Sequence, residues 1–278
     1  MNLFRIRSTR RHCFTAAAAA TVLGALAPAA IGASPASAAP ASAARASAAA
    51  ATCSGTCVQY NGGAQGVITQ SPKVYLVFYG SQWGGQGGSA QSNAQGFFSG
   101  LGKGSERWSR ILTQYCNAVA TGTVTCPSSA VHIPYPSSTV YAGTWFDSSV
   151  AAPPQPGNDL ITEAHKAASH FGVTNLARSM FIIFSPPGTS AGGGFAWHTT
   201  TSDGYNVINA PINENNTIVL SHEYAETMTD VNAGWTTPDH TAEIGDLCGP
   251  DGNLNLTTGS FPVTSLWSNA AHACVVSG

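Results

Sequence analysis

The sequence predicts an α/β or α+β fold, in which helices flank a mixed β-sheet within one disulfide-stapled domain. Two buried strands are indicated by KVYLVFYG (73–80) and SMFIIFSPPG (179–188), which are rich in β-branched and aromatic residues. Between them, NDLITEAHKAASHFG (158–172) has helical spacing, with Asn158 as its N-cap and Gly172 as its stop. The order strand, helix, strand favours a partly parallel sheet with helices packed on it.

The segments around these elements have weaker patterns. Apolar residues over 94–115 recur at helical spacing and are interrupted by Gly-Lys-Gly, which predicts two helices. The proline-containing stretch 124–146 predicts hairpins and loops, and GYNVINAPI (204–212) predicts a further strand at a sheet edge. Beyond residue 230, loops and short strands are expected, with a turn at PDGNLNL (250–256).

The amino-terminal residues have the pattern of a secretory signal peptide over 1–38. Four arginines among the first eleven residues precede an apolar stretch, and small residues at 36–38 form a cleavage site. The Ala/Ser-rich tract 39–52 is expected to be a linker or pro-segment. Residues 53–278 then suffice for a single secreted domain with a sizeable core.

The charge of the chain limits the partners that it is expected to have. Only 9% of its residues are charged, the net charge is −2, and no basic patch recurs. Nucleic acid and anionic membranes are therefore excluded as expected partners. The apolar stretch near the amino terminus is interrupted by glycine and proline, so no membrane anchor is expected. We expect a secreted, extracellular monomer.

Six of the seven cysteines lie beyond the predicted signal peptide. An even number in an exported chain predicts three disulfides, and a cysteine-ligated zinc site is the alternative. Sequence order alone suggests the pairs, although six cysteines allow fifteen connectivities. The suggested pairs are Cys53–Cys57, Cys116–Cys126 and Cys248–Cys274.

The residues VLSHEYAETMTD (219–230) concentrate charge in a chain that has little of it. A helix is predicted over 216–229, and residues four apart share a helix face, so His222, Glu226 and Asp230 form one polar stripe beside Glu223. The spacing H-E-x-x-E differs by one ligand from H-E-x-x-H, the zinc-peptidase pattern. A carboxylate binds zinc at nearly the same distance as an imidazole. This helix is therefore predicted to be a zincin-like metal helix.

A further ligand is expected from the downstream segment TAEIGDLC (241–248). Glu243 lies 21 positions after His222, and Asp246 follows three positions later. This spacing resembles that of zinc peptidases in which a downstream Glu completes the site and an Asp supports the histidine. We expect Glu243 first and Asp246 second as the additional metal ligand. The metal expected is Zn²⁺, with Mn²⁺ or Ca²⁺ as alternatives because the donors are mainly carboxylates.

Two other side chains are candidates for chemistry. Glu223 is the expected general base that activates the attacking water. His198, which follows a Gly-rich loop, is expected to be a further ligand, a donor to a developing oxyanion, or a hydrogen-bonded loop histidine. Tyr224 is a second candidate for the oxyanion donor.

A structural interpretation of the helix competes with the metal site. A His and two Glu can form an exposed face with i,i+4 pairs, or a buried hydrogen-bonded network. A solvated face normally carries Lys or Arg, and neither occurs after Arg178. Clustered carboxylates without basic partners repel one another unless a cation or protons neutralise them. This absence favours the metal site.

Three segments resemble the EXORDIUM, or phosphate-induced, family of secreted proteins. They are SHEYAETMTDVNAGW (221–235), AEIGDLC (242–248) and SLWSNAAHACV (265–275), and VYLVFYGSQW (74–83) is similar to the first strand of that family. Val231 stands where the family usually has proline. The resemblance implies secretion and an extracellular or cell-wall setting, and it implies no particular reaction.

Two functions are therefore carried forward. The first is a secreted metal-dependent hydrolase, metallopeptidase-like, that acts on an extracellular protein or peptide. The second is a non-catalytic EXORDIUM-like protein, associated with cell-wall polymer, in which the same cluster holds a structural cation or a hydrogen-bonded network. A glycosidase would instead need two carboxylates on either side of a cleft.

Overall fold

The computed structural model contains a five-stranded mixed sheet with helices on both faces. It describes residue 53 and residues 55–63, 65–103, 106–189, 196–211, 217–250 and 252–278. The predicted signal peptide and linker lie outside the described residues. The described α-helices are α1 (Gly88–Gly100), α2 (Asp159–Phe171) and α3 (Thr217–Thr229). The described 3₁₀ helices are Ser81–Trp83, Ser109–Gln114 and Leu176–Arg178.

The strands divide into the central sheet and four short antiparallel pairs. In chain order, the described strands are β1 (Gln59–Tyr60), β2 (Lys73–Tyr79), β3 (Cys116–Asn117), β4 (Val131–His132), β5 (Tyr141–Asp147), β6 (Ser179–Ser185), β7 (Trp197–Thr200), β8 (Asn206–Pro211), β9 (Trp235–Thr236), β10 (Gly252–Leu256), β11 (Gly259–Val263), β12 (Leu266–Ser268) and β13 (Ala273–Val275).

The central sheet has the order β5-β2-β6-β8-β7. The first four strands are parallel, and β7 runs antiparallel to β8. Every residue of β6 is buried, as expected for a central strand covered on both faces. The α/β prediction with a mixed, partly parallel sheet is therefore confirmed.

Two strands of this sheet differ from the sequence prediction. Residues 141–147 form β5, a seven-residue parallel strand, where hairpins and loops were expected. Its half-buried residues and internal glycine conceal the strand pattern, and pairing with β2 supplies what the local sequence lacks. Strand β8 was predicted at an edge but is an inner strand, because β7 (Trp197–Thr200) pairs with it and forms the edge.

One further segment, near the carboxyl terminus, differs from the prediction. The turn expected at 250–256 is mostly strand β10, in which Gly252 and Leu254 are buried while Asn253 and Asn255 are exposed. The segment is a strand because it pairs with β11 and buries alternate side chains. These two effects outweigh the turn-forming residue types.

Helix α2 follows its predicted ends. Its last turn stops at Gly172, whose φ of 63° is left-handed and strained for other residue types. Asn158 occupies the N-cap position, as predicted, but its side chain makes no cap hydrogen bond. The first of the two helices predicted within 94–115 begins earlier, at Gly88, and the second is a 3₁₀ helix.

Two apolar clusters lie on opposite faces of the sheet. The smaller cluster lies under α2 and includes Val77 and Ile183. The larger cluster lies on the side of α1 and α3 and includes Phe98, Trp108 and Tyr224. Helix α3 is thus packed within the molecule, against β7, β8 and β11, rather than on its surface.

Three disulfides join the pairs that sequence order suggested. They are Cys53–Cys57, Cys116–Cys126 and Cys248–Cys274. The third connects the segment after Glu243 to β13 near the carboxyl terminus. Among the helices of the described residues, none combines the length and the apolar character that a membrane span needs.

Candidate functional site

Helix α3 carries polar side chains into the interior of the protein. Its residues are buried along almost its whole length. His222 is 3% exposed, Glu223 2%, Glu226 1%, and Asp230, which follows the helix, 6%. The Nε2 of His222 lies 3.2 Å from the Oε2 of Glu226, as expected for side chains one helical turn apart. The polar stripe predicted for an exposed or metal-binding helix is therefore a buried one.

The segment 243–248 meets this helix face. The backbone N–H groups of Gly245 and Asp246 both donate to Oε1 of Glu226 at 3.2 Å. The Oδ2 of Asp246 accepts from the N–H of Glu243 at 3.1 Å, which closes the turn. A Cβ on Gly245 would lie 2.7 Å from Nδ1 of His222, so the close approach requires glycine here. These contacts fix one oxygen of Glu226 and bring both predicted downstream ligands to the helix.

His198 reaches the same cluster from the edge strand β7. Its Nδ1 lies 3.2 Å from Oε2 of Glu223 and 3.7 Å from Oε2 of Glu226. Its Nε2 lies 3.4 Å from Oε2 of Glu243. The side chain is 6% exposed. His198 lies on strand β7 rather than in the expected loop, and it is hydrogen-bonded to Glu223 among three buried carboxylates.

The donor atoms form two groups that share Glu226. One group is His198, Glu226 and Glu243, and the other is His222, Glu226 and Asp246. Within each group the donor atoms lie within 4.8 Å of one another, a spacing that could hold a metal ion. The Oδ1 of Asp246 lies 3.5 Å from Nε2 of His222 and has no hydrogen-bond partner of good geometry.

The surrounding carboxylates favour the charged form of both histidines. Burial alone would lower the pKa of His198, but its hydrogen bond with Glu223 and the charges of Glu223 and Glu226 raise it. Burial also opposes the charged form of His222, yet Glu226 and Asp246 raise its pKa well above the usual value. The carboxylates thus oppose the effect of burial on the pKa of each imidazole.

Two of the carboxyl groups favour their neutral form. Burial raises the pKa of Glu226, and the charges of Asp246 and Glu223 add to this against the opposing effect of His222. Burial, together with the charges of Glu226 and Asp230, raises the pKa of Glu243 well above its usual range. The cluster thus holds more negative charge than its surroundings stabilise, and a cation or protons must compensate it.

Asp230 belongs to the cluster, although it was not among the predicted site residues. Its Oδ1 accepts from the N–H of Gly234 at 2.6 Å, and its charge contributes to the raised pKa of Glu243. The signal in the sequence was its position four residues after Glu226, in the same stripe.

Tyr224 is not part of the cluster. Its ring is fully buried in the apolar core, with centroids 5.6 Å from Phe98 and 6.2 Å from Trp108. The proposed oxyanion role of Tyr224 is therefore wrong, because the helix turns this side chain to the core side. The other predicted site residues, His198, His222, Glu223, Glu226, Glu243 and Asp246, lie together.

Comparison with known proteins returns no matching protein family, no matching curated protein and no matching solved structure. The EXORDIUM resemblance accordingly stays a prediction from the sequence.

Proposed function

We propose that this protein is a metal-dependent hydrolase, of metallopeptidase type, whose ion is held by the buried cluster around Glu226. The observation that carries the proposal is the convergence of two imidazoles and three carboxylates from α3, β7 and the segment 243–248. Residues far apart in sequence supply these donors, which favours a site over an incidental ion pair.

The donor set fits a divalent cation of the zinc or manganese type. Imidazole and carboxylate are ligands that both ions accept, and a carboxylate-rich set admits Ca²⁺ as well. The buried Oδ1 of Asp246, which lacks a hydrogen-bond partner, is the kind of atom that an ion would satisfy. The chain has no Lys or Arg after Arg178, and Lys166 pairs with Asp147 and Glu163 instead.

Each residue of the cluster has a distinct role in the proposed reaction. His222 and Glu226, with Glu243 or Asp246 as the third ligand, would hold the ion. A bound divalent cation would act as a Lewis acid that polarises a substrate carbonyl. Glu223 would take a proton from the attacking water, and His198, hydrogen-bonded to Glu223, would orient that carboxylate or donate to the developing oxyanion.

The same geometry supports a second candidate function. The carboxylates of Glu223, Glu226 and Glu243 are each at most 5% exposed, and that of Asp246 is 9% exposed. Such burial suits a structural cation, or a proton-neutralised hydrogen-bonded network, in a non-catalytic protein. In either case we propose a secreted, extracellular, EXORDIUM-like protein. Its partner would be an extracellular protein or peptide, or a cell-wall polymer.

The deciding experiment combines metal content with proteolysis. We would measure bound metal by plasma mass spectrometry in the wild type, in His222→Ala and in the control His240→Asn, whose histidine is exposed. We expect bound zinc or manganese in the wild type and the control, and none in His222→Ala. Bound calcium, or full stability without any metal, would favour the second candidate.

A casein-cleavage assay then tests the chemistry. We expect Glu223→Gln to keep its metal and to lose at least about 100-fold in activity, because an amide cannot accept the proton. Metal without cleavage in the wild type would point to a structural ion. Cleavage retained in Glu223→Gln would exclude Glu223 as the base.

A further inference from the structure

We infer that the cluster holds two divalent cations, with the Glu226 carboxylate shared between them. This inference rests on the proposed function, because it presupposes that the cluster binds metal. It assigns His198 and Glu243 to one ion, and His222 and Asp246 to the other. His198 would then be a metal ligand instead of an oxyanion donor. The consequence is a two-ion centre of the kind that clamps both the attacking and the leaving oxygen in many hydrolases.

The spacing of the histidines argues against a single ion. Ligands lie about 2.1 Å from zinc, so opposite donors of one ion are separated by at most about 4.2 Å. Within the described part of the chain, no set of donors within 4.8 Å of one another contains both His198 and His222. One ion therefore cannot bind both imidazoles as they stand, whereas two ions can.

The position of Glu226 suits a shared ligand. Its Oε1 is occupied by the N–H groups of Gly245 and Asp246. Its Oε2 lies between the histidines, 3.2 Å from Nε2 of His222 and 3.7 Å from Nδ1 of His198. Fixing one oxygen leaves the other to contact both ions, which in such centres lie about 3.5–4 Å apart.

The charge of the cluster also suits two ions. Five carboxyl groups face two imidazoles, and each side chain is nine-tenths or more buried. A carboxyl group binds a metal as the carboxylate, and two divalent ions compensate up to four negative charges, whereas one ion compensates two. Because uncompensated buried charge is strongly destabilising, the second ion stabilises the folded protein. The five carboxyl groups are those of Glu223, Glu226, Asp230, Glu243 and Asp246.

Glu223 belongs to neither of the two groups of metal donors. Its Oε2 bonds Nδ1 of His198, which leaves Nε2 of that ring facing Glu243. A ligating histidine commonly donates its other ring N–H to a carboxylate, which fixes its tautomer and orientation. Glu223 is thus placed beside the ion of His198 and Glu243, without being one of its ligands.

The test is the stoichiometry of metal in the full mature protein. We would remove metal with a chelator, titrate with zinc and with manganese by calorimetry, and count bound ions by plasma mass spectrometry. We expect two equivalents in the wild type, together with a spin-coupled signal in the manganese protein by electron paramagnetic resonance. Asp246→Asn and Glu243→Gln should each retain about one equivalent, because each removes a ligand of one ion only.

Asp239→Asn is the matched control, since Asp239 lies four residues before Glu243 but is exposed. It should keep both ions. One equivalent in the wild type would overturn the two-ion inference and leave the proposed function standing. No metal in the wild type would overturn both. The wild-type titration decides between these outcomes even if a variant fails to fold.

Discussion

Oε2 of Glu223 lies 3.2 Å from Nδ1 of His198, although one residue is on helix α3 and the other on the edge strand β7. Both side chains are at most 6% exposed. The antiparallel pairing of β7 with β8 places His198 opposite Ile208, a residue of the larger core cluster on the α3 side of the sheet. The added edge strand therefore supplies the second imidazole of the cluster.

Replacing His198 should weaken the metal site without unfolding the protein. His198→Ala removes the only imidazole of the group that contains Glu243. We expect zinc affinity to fall by at least about 10- to 100-fold, the loss typical of removing a residue that only hydrogen-bonds a ligand. Competition with a chromogenic chelator measures this. Thr199→Ala, the next residue on the same strand, is the control and should bind zinc like the wild type. Unchanged affinity in His198→Ala would remove His198 from the ligand set.

Gly245 should not tolerate a side chain. Its Cβ would lie 2.7 Å from Nδ1 of His222 and 3.0 Å from Oε1 of Glu226, both held in place by buried contacts. We expect Gly245→Ala to lower the free energy of unfolding by about 1–3 kcal/mol and to weaken metal binding. Urea unfolding and calorimetry measure the two effects. Thr257→Ala, at an exposed position of the turn after β10, should change neither. A variant with normal affinity would show that the 243–248 segment can move without disturbing the ligands.

Two disulfides should differ in their effect on the cluster. Cys248–Cys274 closes a sequence separation of 26, so its removal is expected to cost about 3.5 kcal/mol of stability. Cys53–Cys57 closes a separation of only 4, for which the same relation gives about 2 kcal/mol. The paired Cys→Ala variants are compared by urea unfolding.

The two disulfide variants should also differ in their affinity for metal. The Cys248–Cys274 bridge directly follows the segment that holds Glu243 and Asp246, so its loss should weaken metal binding. Loss of the Cys53–Cys57 bridge should leave binding unchanged. Equal effects of both variants on affinity would contradict the anchoring role of the longer bridge.

A separate carboxyl group should make stability depend on pH. Burial raises the pKa of Glu163 to about 7, against the lowering effect of Lys166, whereas its ordinary value is 4.5. Because the folded state holds this proton more tightly, the stability it contributes is complete below pH 4.5. That contribution is lost as the pH rises through about 7.

The variant Glu163→Gln should remove this dependence, since glutamine does not ionise. We expect its unfolding free energy, relative to the wild type, to rise by about 1 kcal/mol between pH 5 and pH 8. This figure is smaller than the full shift implies, because the partly exposed side chain of Lys166 brings water close to the Glu163 carboxylate, and water screens its charge. Urea unfolding at both pH values measures it. Asp239→Asn is the control, because hydrogen bonds from Thr237 and Thr241 lower the pKa of Asp239 and keep it ionised at both. Parallel pH profiles of Glu163→Gln and the wild type would contradict the assignment.

Strong local patterns in the sequence predicted their elements well. Strands β2 and β6 and helix α2 were predicted correctly. Their own side chains form the core, so the apolar pattern of each segment indicates its structure. Strand β5 could not be predicted in this way, since its half-buried residues become a strand only through pairing with β2. The inner position of β8 could not be predicted either. An inner strand differs from an edge strand only in having a second pairing partner, here β7, and the sequence of β8 does not show which strands pair with it.

The charged residues of this protein, and the spacing of His222, Glu226 and Asp230 along one helix, can be read from the amino-acid sequence alone. The sequence also shows the absence of basic residues near them in the chain. The burial of the helix, the approach of His198 and the packing of Tyr224 in the core became visible only in the folded protein. Helical spacing fixes which side chains share a face, whereas burial and cross-strand partners depend on how distant segments pack.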